Sequence, residues 1–568
     1  MKRCLFIALC MAFVCLSAPS SAWERSSPNV PPDSGLYRDL DKLIAFGLVE
    51  PPIRGQRPWP RGEFARMVAE AVSNLSKQEE TGDDSFKGSL RQGARRRQIT
   101  IAIDRLKEEF HDELVDMGAV EGERMRYRIH PMKDFTIFGT YLDSPSIAVP
   151  ANNGRGPINA VINPLGDYNL GRQATDGMQV AQEFTSWFGA GRFFSGLVRP
   201  RFEENTFRSG EMTAMATVQN ANGTFRAGNF SVEFGRDSMF WGLGDRDSLL
   251  FSTNPRPLDG IWVTNPTPAR LPWVFKHLGR WRYTLYGVNQ GPQYSHPWSW
   301  VMGYKVSLSP AKYVELGLGH AVQIGGEGAP APSAVDVIGE FFGFRPAGVA
   351  RNSPNLTNHI FDIDALVRIP RLRGFELYGK ISIDDKWWNS IGKTLNQGCS
   401  YLAGFYLPAL NSSGSLDMRA EFVRTSPLQY RHSLFTDGFT IDRKLLGTDA
   451  GLDADAAYVQ LRQTVSPRLW AGLTLAWDYR RSDGYTELTN PDGTVGPVVK
   501  ISWGPREQRY RGVLGVDWRL NDTLRLHVAA GYERARNLGF VYGNNRNNWL
   551  AAVALKWDFD RRFALTAN

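Results

Sequence analysis

Cysteine is nearly absent from this chain. Of its four cysteines, Cys4, Cys10 and Cys15 fall in an apolar N-terminal run and Cys399 alone lies beyond it. An internal disulfide is therefore excluded once that run is removed, and rigidity has to come from elsewhere. Long hydrophobic runs are also missing. The one candidate, Cys4 to Leu16, stops at Ser17-Ala18-Pro19, short of the roughly 20 apolar residues that a spanning helix needs. With Met1-Lys2-Arg3 before it and Ser20-Ser21-Ala22 after it, the run reads as a secretory signal peptide over residues 1–22. Val14 before Cys15 is not the small residue that a lipoprotein anchor wants.

Other signatures are equally scarce. Gly242-Leu243-Gly244 has neither a following helix nor a Lys, so no phosphate cradle is indicated. The run Asp449 to Asp455 lacks the sixth-position Gly and terminal Glu of a calcium loop. His296, His320, His432 and His527 have no distinctive nucleophile context. Asp245 and Asp247, two residues apart, do not define a carboxylate separation across a sugar ring. We expect no enzyme, no cofactor and no metal site.

What the chain does have is aromatics, 12% of all residues, and alternation. Every second residue from Trp549 to Phe559 (Trp, Ala, Val, Leu, Trp, Phe) is apolar, while Lys556 and Asp558 fall on the other face. In a strand this gives an apolar ribbon with aromatics at both ends, the pattern of a transmembrane β-strand. Period two begins near Met132, with Phe135, Ile137, Gly139 and Tyr141 on one side, and recurs in Trp281–Val288, Trp300–Leu308, Phe361–Ile369, Phe375–Asp384, Leu469–Arg480, Tyr510–Leu520 and Leu524–Tyr532. Short turns such as Ser466-Pro467, Arg371 to Gly374 and Asn521-Asp522 suit the periplasmic side. Long polar stretches (Gly325 to Asn358, Thr425 to Asp455, Ser482 to Val498) suit extracellular loops. The expected fold is an all-β transmembrane, outer-membrane antiparallel barrel over residues 126–568, with about eighteen strands, within the range of single-chain barrels. A mean hydropathy of −0.32 does not argue against it, because a polar lumen dilutes the lipid-facing set.

Residues 23–125 differ, with helical period and high charge. Ser34 caps a face of Leu36, Leu40, Leu43, Ile44 and Phe46, ended by Gly47. Phe64, Met67, Val68, Ala71 and Leu75 make a second face, and Ile103, Leu106, Phe110 and Leu114 a third. Such faces need partners, so a periplasmic helical bundle or plug is expected. Its string Leu43 to Val49 followed by Arg57 to Ala65 looks like half of a surface-layer-homology motif.

The densest local pattern is Val232 to Pro257. Arg236, Arg246 and Arg256 offer forked donors for carboxylates, Trp241 a flat face for a sugar ring, and Asp245 and Asp247 acceptors for hydroxyls. The same charges can instead pair with one another across the lumen, and the two roles are compatible. A formal charge of +8 would point to nucleic acid in a cytosolic protein. A secreted chain meets lipopolysaccharide phosphates and acidic polysaccharides instead. A strand ending in Gly235-Arg236, then Phe240-Trp241-Gly242, Gly244, Ser248-Leu249-Leu250 and Asn254-Pro255-Arg256-Pro257, with Leu36-Tyr37-Arg38-Asp39-Leu40 in the helical preamble, resembles the capsule-assembly Wzi family. The charged stretch around Gly82 to Arg97 is longer than in that family's best-known members. The resemblance implies an eighteen-stranded barrel closed at its periplasmic end by the helical bundle. It also implies a lectin-like role holding capsular or extracellular polysaccharide at the cell surface. Expected partners are that polysaccharide, outer-membrane lipid and lipopolysaccharide, and the barrel-insertion machinery, with the chain a monomer and no nucleic acid bound. The alternative is an outer-membrane porin or sugar channel.

Overall fold

The computed structural model describes residues 25–81, 92–149, 158–165, 170–271, 273–343, 357–384, 394–492, 495–502, 504–559 and 563–566. The signal peptide expected over residues 1–22 lies outside them. Eighteen long strands close an antiparallel barrel. In chain order they are β1 (Met125–Leu142), β2 (Gly177–Ala190), β3 (Phe194–Phe207), β4 (Met212–Ala227), β5 (Phe230–Asp237) and β6 (Leu258–Thr264). Next come β7 (Arg280–Asn289), β8 (Trp300–Ala311), β9 (Val314–Ile324), β10 (Thr357–Ile369), β11 (Phe375–Ile383) and β12 (Cys399–Leu407). The wall ends with β13 (Leu416–Arg424), β14 (Ala454–Ser466), β15 (Leu469–Arg480), β16 (Glu507–Arg519), β17 (Leu524–Arg536) and β18 (Arg546–Asp558). Closure is made by β1 on β18, with Gly139 opposite Val553 and Phe135 opposite Trp557. No helix among the described residues is long and apolar enough to cross a membrane; the strands make the wall.

Alternation works as the pleat requires. On β18, Trp549 and Val553 are exposed outward, while Asn548 is buried and Lys556 donates to Asp134 at 2.7 Å. Asp558 pairs inward with Arg525 at 2.9 Å, and Trp549 lies 4.6 Å from Tyr532 in the outer aromatic layer. β1 begins seven residues before the expected Met132. The extension is hidden in the sequence because the register slips between His130 and Asp134.

The helical part comprises α1 (Leu36–Ala45), α2 (Arg61–Thr81), α3 (Gln92–Glu109) and α4 (His111–Asp116). Ser34 Oγ accepts from the Leu36 backbone at the start of α1, and Gly47, at φ +77°, leaves its end. The faces read from the sequence meet in one core of Leu40, Leu43, Phe46, Phe64, Met67, Ile103, Leu106 and Phe110. Arg61 locks the bundle by pairing with Glu109 and Glu113, each at 2.6 Å. The bundle sits at the barrel end that carries the short turns. At Gly374, φ +75°, an added Cβ would lie 2.6 Å from Ala45 O, so the turn before β11 packs directly on the end of α1.

Two loops at the other end depart from the expected polar surface. The long connection before β10 carries α5 (Ala334–Phe341), started by a Ser333–Asp336 capping box. The connection between β13 and β14 turns inward, where Tyr430, Phe439, Ile441, Leu445 and Leu446 join Trp241, Phe251 and Tyr286 in a buried apolar cluster. Wall residues Val288, Val301, Ala321 and Ile360 complete it. On this side the lumen holds a hydrophobic core, where the sequence had suggested only charge networks.

Candidate functional site

The segment from Ser238 to Pro257 leaves β5, enters the lumen and returns to β6. Its entry is fixed by backbone pairing: Phe240 and Trp241 form a two-stranded antiparallel ladder with Arg57 and Gln56, which arrive from the helical end. Gly242 N donates to Gly55 O at 3.1 Å. A strap from each end of the barrel thus meets midway, and each satisfies backbone groups the other would leave buried and unpaired.

A tight turn follows. A Cβ on Gly244 would lie 2.4 Å from Asp247 O, so only glycine fits. The Glu421 carboxylate of β13 accepts from Asp245 N at 2.7 Å and Asp247 N at 3.1 Å, and Tyr378 donates to it at 2.6 Å. Ser248 donates to Trp241 O, as does Lys380 at 2.9 Å.

The six residues singled out in the sequence separate into two places. Arg236 and Arg256 converge on Asp259 at the long-loop rim, at 2.7 and 2.9 Å, and Arg256 also reaches Asp442 at 2.5 Å. These side chains are partly exposed. The other four lie inside the plug. Trp241 is 1% exposed and packs edge-on against Phe251 and Tyr286 at 5.3 and 4.8 Å, which leaves no ring face for a sugar. Arg246 lies 5.3 Å from the Tyr458 ring and 3.8 Å from Asp449. Thr448 donates to Asp247 at 2.6 Å.

Asp245 joins a network that the sequence did not reveal. It pairs with Arg38 of α1 at 2.9 Å and Arg419 of β13 at 3.4 Å. Arg419 also bonds Asp41 at 2.6 Å; Asp41 lies 3.3 Å from Arg54, and Arg54 bonds Glu376. Burial raises the Asp245 carboxyl, but Arg419, Arg38, Arg57 and Arg54 outweigh it and hold it well below the usual carboxylate range. Asp247 goes the other way: burial and the charges of Asp449 and Glu421 push it up to about 7, against Arg246 and Thr448. The sequence signal for this network is weak, because Asp41, Arg54 and Arg57 lie far along the chain from the motif.

The family model described as capsule assembly protein Wzi matches residues 162–550. An uncharacterised 55.8 kDa protein in the cps region of Klebsiella pneumoniae is 27% identical over 131 residues, which is 22% of this chain and about a quarter (26%) of that protein. Among solved structures, the Escherichia coli outer-membrane protein Wzi superposes with a TM-score of 0.61 at 15% identity, over 94% of this chain and 100% of that one. It is described as a carbohydrate-binding β-barrel involved in group 1 capsule assembly. Pseudomonas aeruginosa OprD matches with a TM-score of 0.40 at 8% identity, over 78% of this chain and 96% of that one.

Proposed function

This chain belongs to the capsule assembly protein Wzi family, and from that premise we propose that it is a non-enzymatic, lectin-like outer-membrane barrel. It attaches or organises capsular or extracellular polysaccharide at the cell surface. The family match over residues 162–550 carries this reading. The filled lumen supports it physically, since a barrel packed from both ends is suited to holding a polymer and poorly suited to passing solutes. The helical module faces the periplasm and the long loops face outward. Residues 1–22 are removed on export, 23–125 form the module and 126–568 the barrel, inserted as a monomer by the barrel machinery among outer-membrane lipid and lipopolysaccharide.

Within this reading Arg236 and Arg256 meet the acidic polymer, because their guanidinium groups reach the rim and Asp259 holds them in place. Trp241, Asp245, Arg246 and Asp247 act from beneath, keeping the plug in the shape that presents that rim. Attraction of a polyanion to these guanidinium groups weakens with salt. The test is the ratio of cell-attached to released polysaccharide in a deletion strain. Release should rise while total synthesis stays constant; an unchanged ratio would refute the role.

A further inference from the structure

Between the plug and the wall made by β14 to β18, β1 and β2 lies a cavity of about 830 Å³, within the range of roughly 300–1,000 Å³ typical of small-molecule sites. The plug side supplies Arg38, Arg57 and Asp245, and the wall supplies Thr136, Gln179 and Thr474 among others. Its lining holds eight Arg and Lys side chains against five carboxylates, and Asp39, Asp134 and Glu203 behind it pair with Arg105, Lys556 and Arg172.

One member is poorly matched. Arg57 is 3% exposed, its guanidinium carbon lies 4.9 Å from the Tyr37 ring centre and 5.6 Å from that of Phe240, and its Nε and Nη2 have no hydrogen-bond acceptor among the described residues. Its side chain donates none of the hydrogen bonds that Arg54, three residues earlier, gives to Glu376 and Asp41. In the connection between β1 and β2, Arg172 also lines the cavity; it pairs with Glu203 at 3.5 Å and lies 4.4 Å from the Phe138 ring centre. A buried cation lacking an acceptor is costly, and Arg57, lining a polar cavity that Arg172 also borders, favours an anion there. The volume exceeds what a single phosphate would fill, and the Thr and Gln groups around it match hydroxyls.

We propose that this cavity binds the carboxylate-bearing units of an acidic oligosaccharide, with Arg57 and Arg172 as its anion contacts. The proposal rests on the polysaccharide reading above and names an internal subsite and ligand class for it. At the opening end Asp517 and His527 are 62% and 44% exposed in their side chains, so solvent reaches the space. On the long-loop side Asn163 closes it, bonded to Lys444 at 2.8 Å and, through its carbonyl, to Arg509 at 3.0 Å.

The experiment is calorimetric titration of the intact protein in detergent micelles with oligogalacturonate, maltohexaose and inorganic phosphate as probes. Oligogalacturonate should bind, with Kd at least tenfold higher in Arg57→Gln and in Ala552→Trp, which fills the cavity from the wall and leaves every charged residue in place. Maltohexaose should bind at least tenfold more weakly, and equimolar phosphate should fail to displace the oligosaccharide. Each variant is compared after its heat-modifiable gel shift matches the parent. Undiminished binding in both variants overturns the site, equal binding of maltohexaose overturns the charge class, and full displacement by phosphate reduces it to a simple anion site. Because retention on cells is measured separately, variant-sensitive binding alongside unchanged retention in the deletion strain would sink the capsule role and leave the cavity standing. Altered retention with variant-insensitive binding would do the reverse.

Discussion

At the scale of single residues, Asp247 shows how far the plug departs from a solvated loop. With its carboxyl raised from 3.8 to about 7, the native protein holds a proton there that the unfolded chain releases. Stability therefore falls as pH rises across that window, and the penalty is complete above about 7. Asp247→Asn removes the penalty while keeping an acceptor for Thr448. Its thermal midpoint in micelles should gain on the parent as pH goes from 5 to 8, and a constant difference would contradict the assignment. On the outer face, Val553 is 50% exposed and pairs with Gly139 and Val528. Val553→Arg places a charge in lipid at a cost of about 2–4 kcal/mol near the midplane. Folding efficiency into vesicles should drop accordingly, and unaltered insertion would shift the strand's register.

At the scale of elements, the plug ladder makes a direct prediction. Gln56 and Trp241 are antiparallel partners, and Cys399 is buried and is the one free cysteine among the described residues. The pair Gln56→Cys and Trp241→Cys should cross-link in an oxidising compartment and change gel mobility until reduced. Failure to cross-link in folded protein would dissolve the ladder. The elements themselves were largely legible. Period two revealed the wall, because lipid on one side and water or charge on the other force alternation, and the apolar stripes of α1 to α3 gave the bundle core. The inward loops were not legible. Tyr430, Phe439 and Ile441 are scattered among polar residues and acquire a common face only when the chain folds back. The same limit governs the six motif residues. Their chemistry reads from the sequence, but the burial of Trp241 depends on Tyr286 of β7, and the pairing of Asp245 depends on Arg38, 207 residues earlier.

At the scale of the whole molecule, two straps and an apolar cluster occupy a barrel of a size that elsewhere encloses an aqueous channel. In planar bilayers the intact chain should conduct far less than a chain lacking residues 23–125, by tenfold or more. An intact chain that conducts as well as the shortened one, at porin level, would restore the channel alternative.

The seam has a consequence for the order of assembly. Lys556 bonds Asp134 across 422 residues of chain, and closure entropy rises with the length spanned, so the wall remains an open sheet until its final strand arrives. Residues 54–57 are made before any strand of that wall, and during this interval they have sideways access to the surface that becomes its interior. A barrel built around a strap already lying in place is the expected outcome. Following newly made protein through time, the Gln56→Cys/Trp241→Cys cross-link should appear before one between Gly139→Cys and Val553→Cys. The opposite order would mean that the strap threads into a finished cylinder from one end.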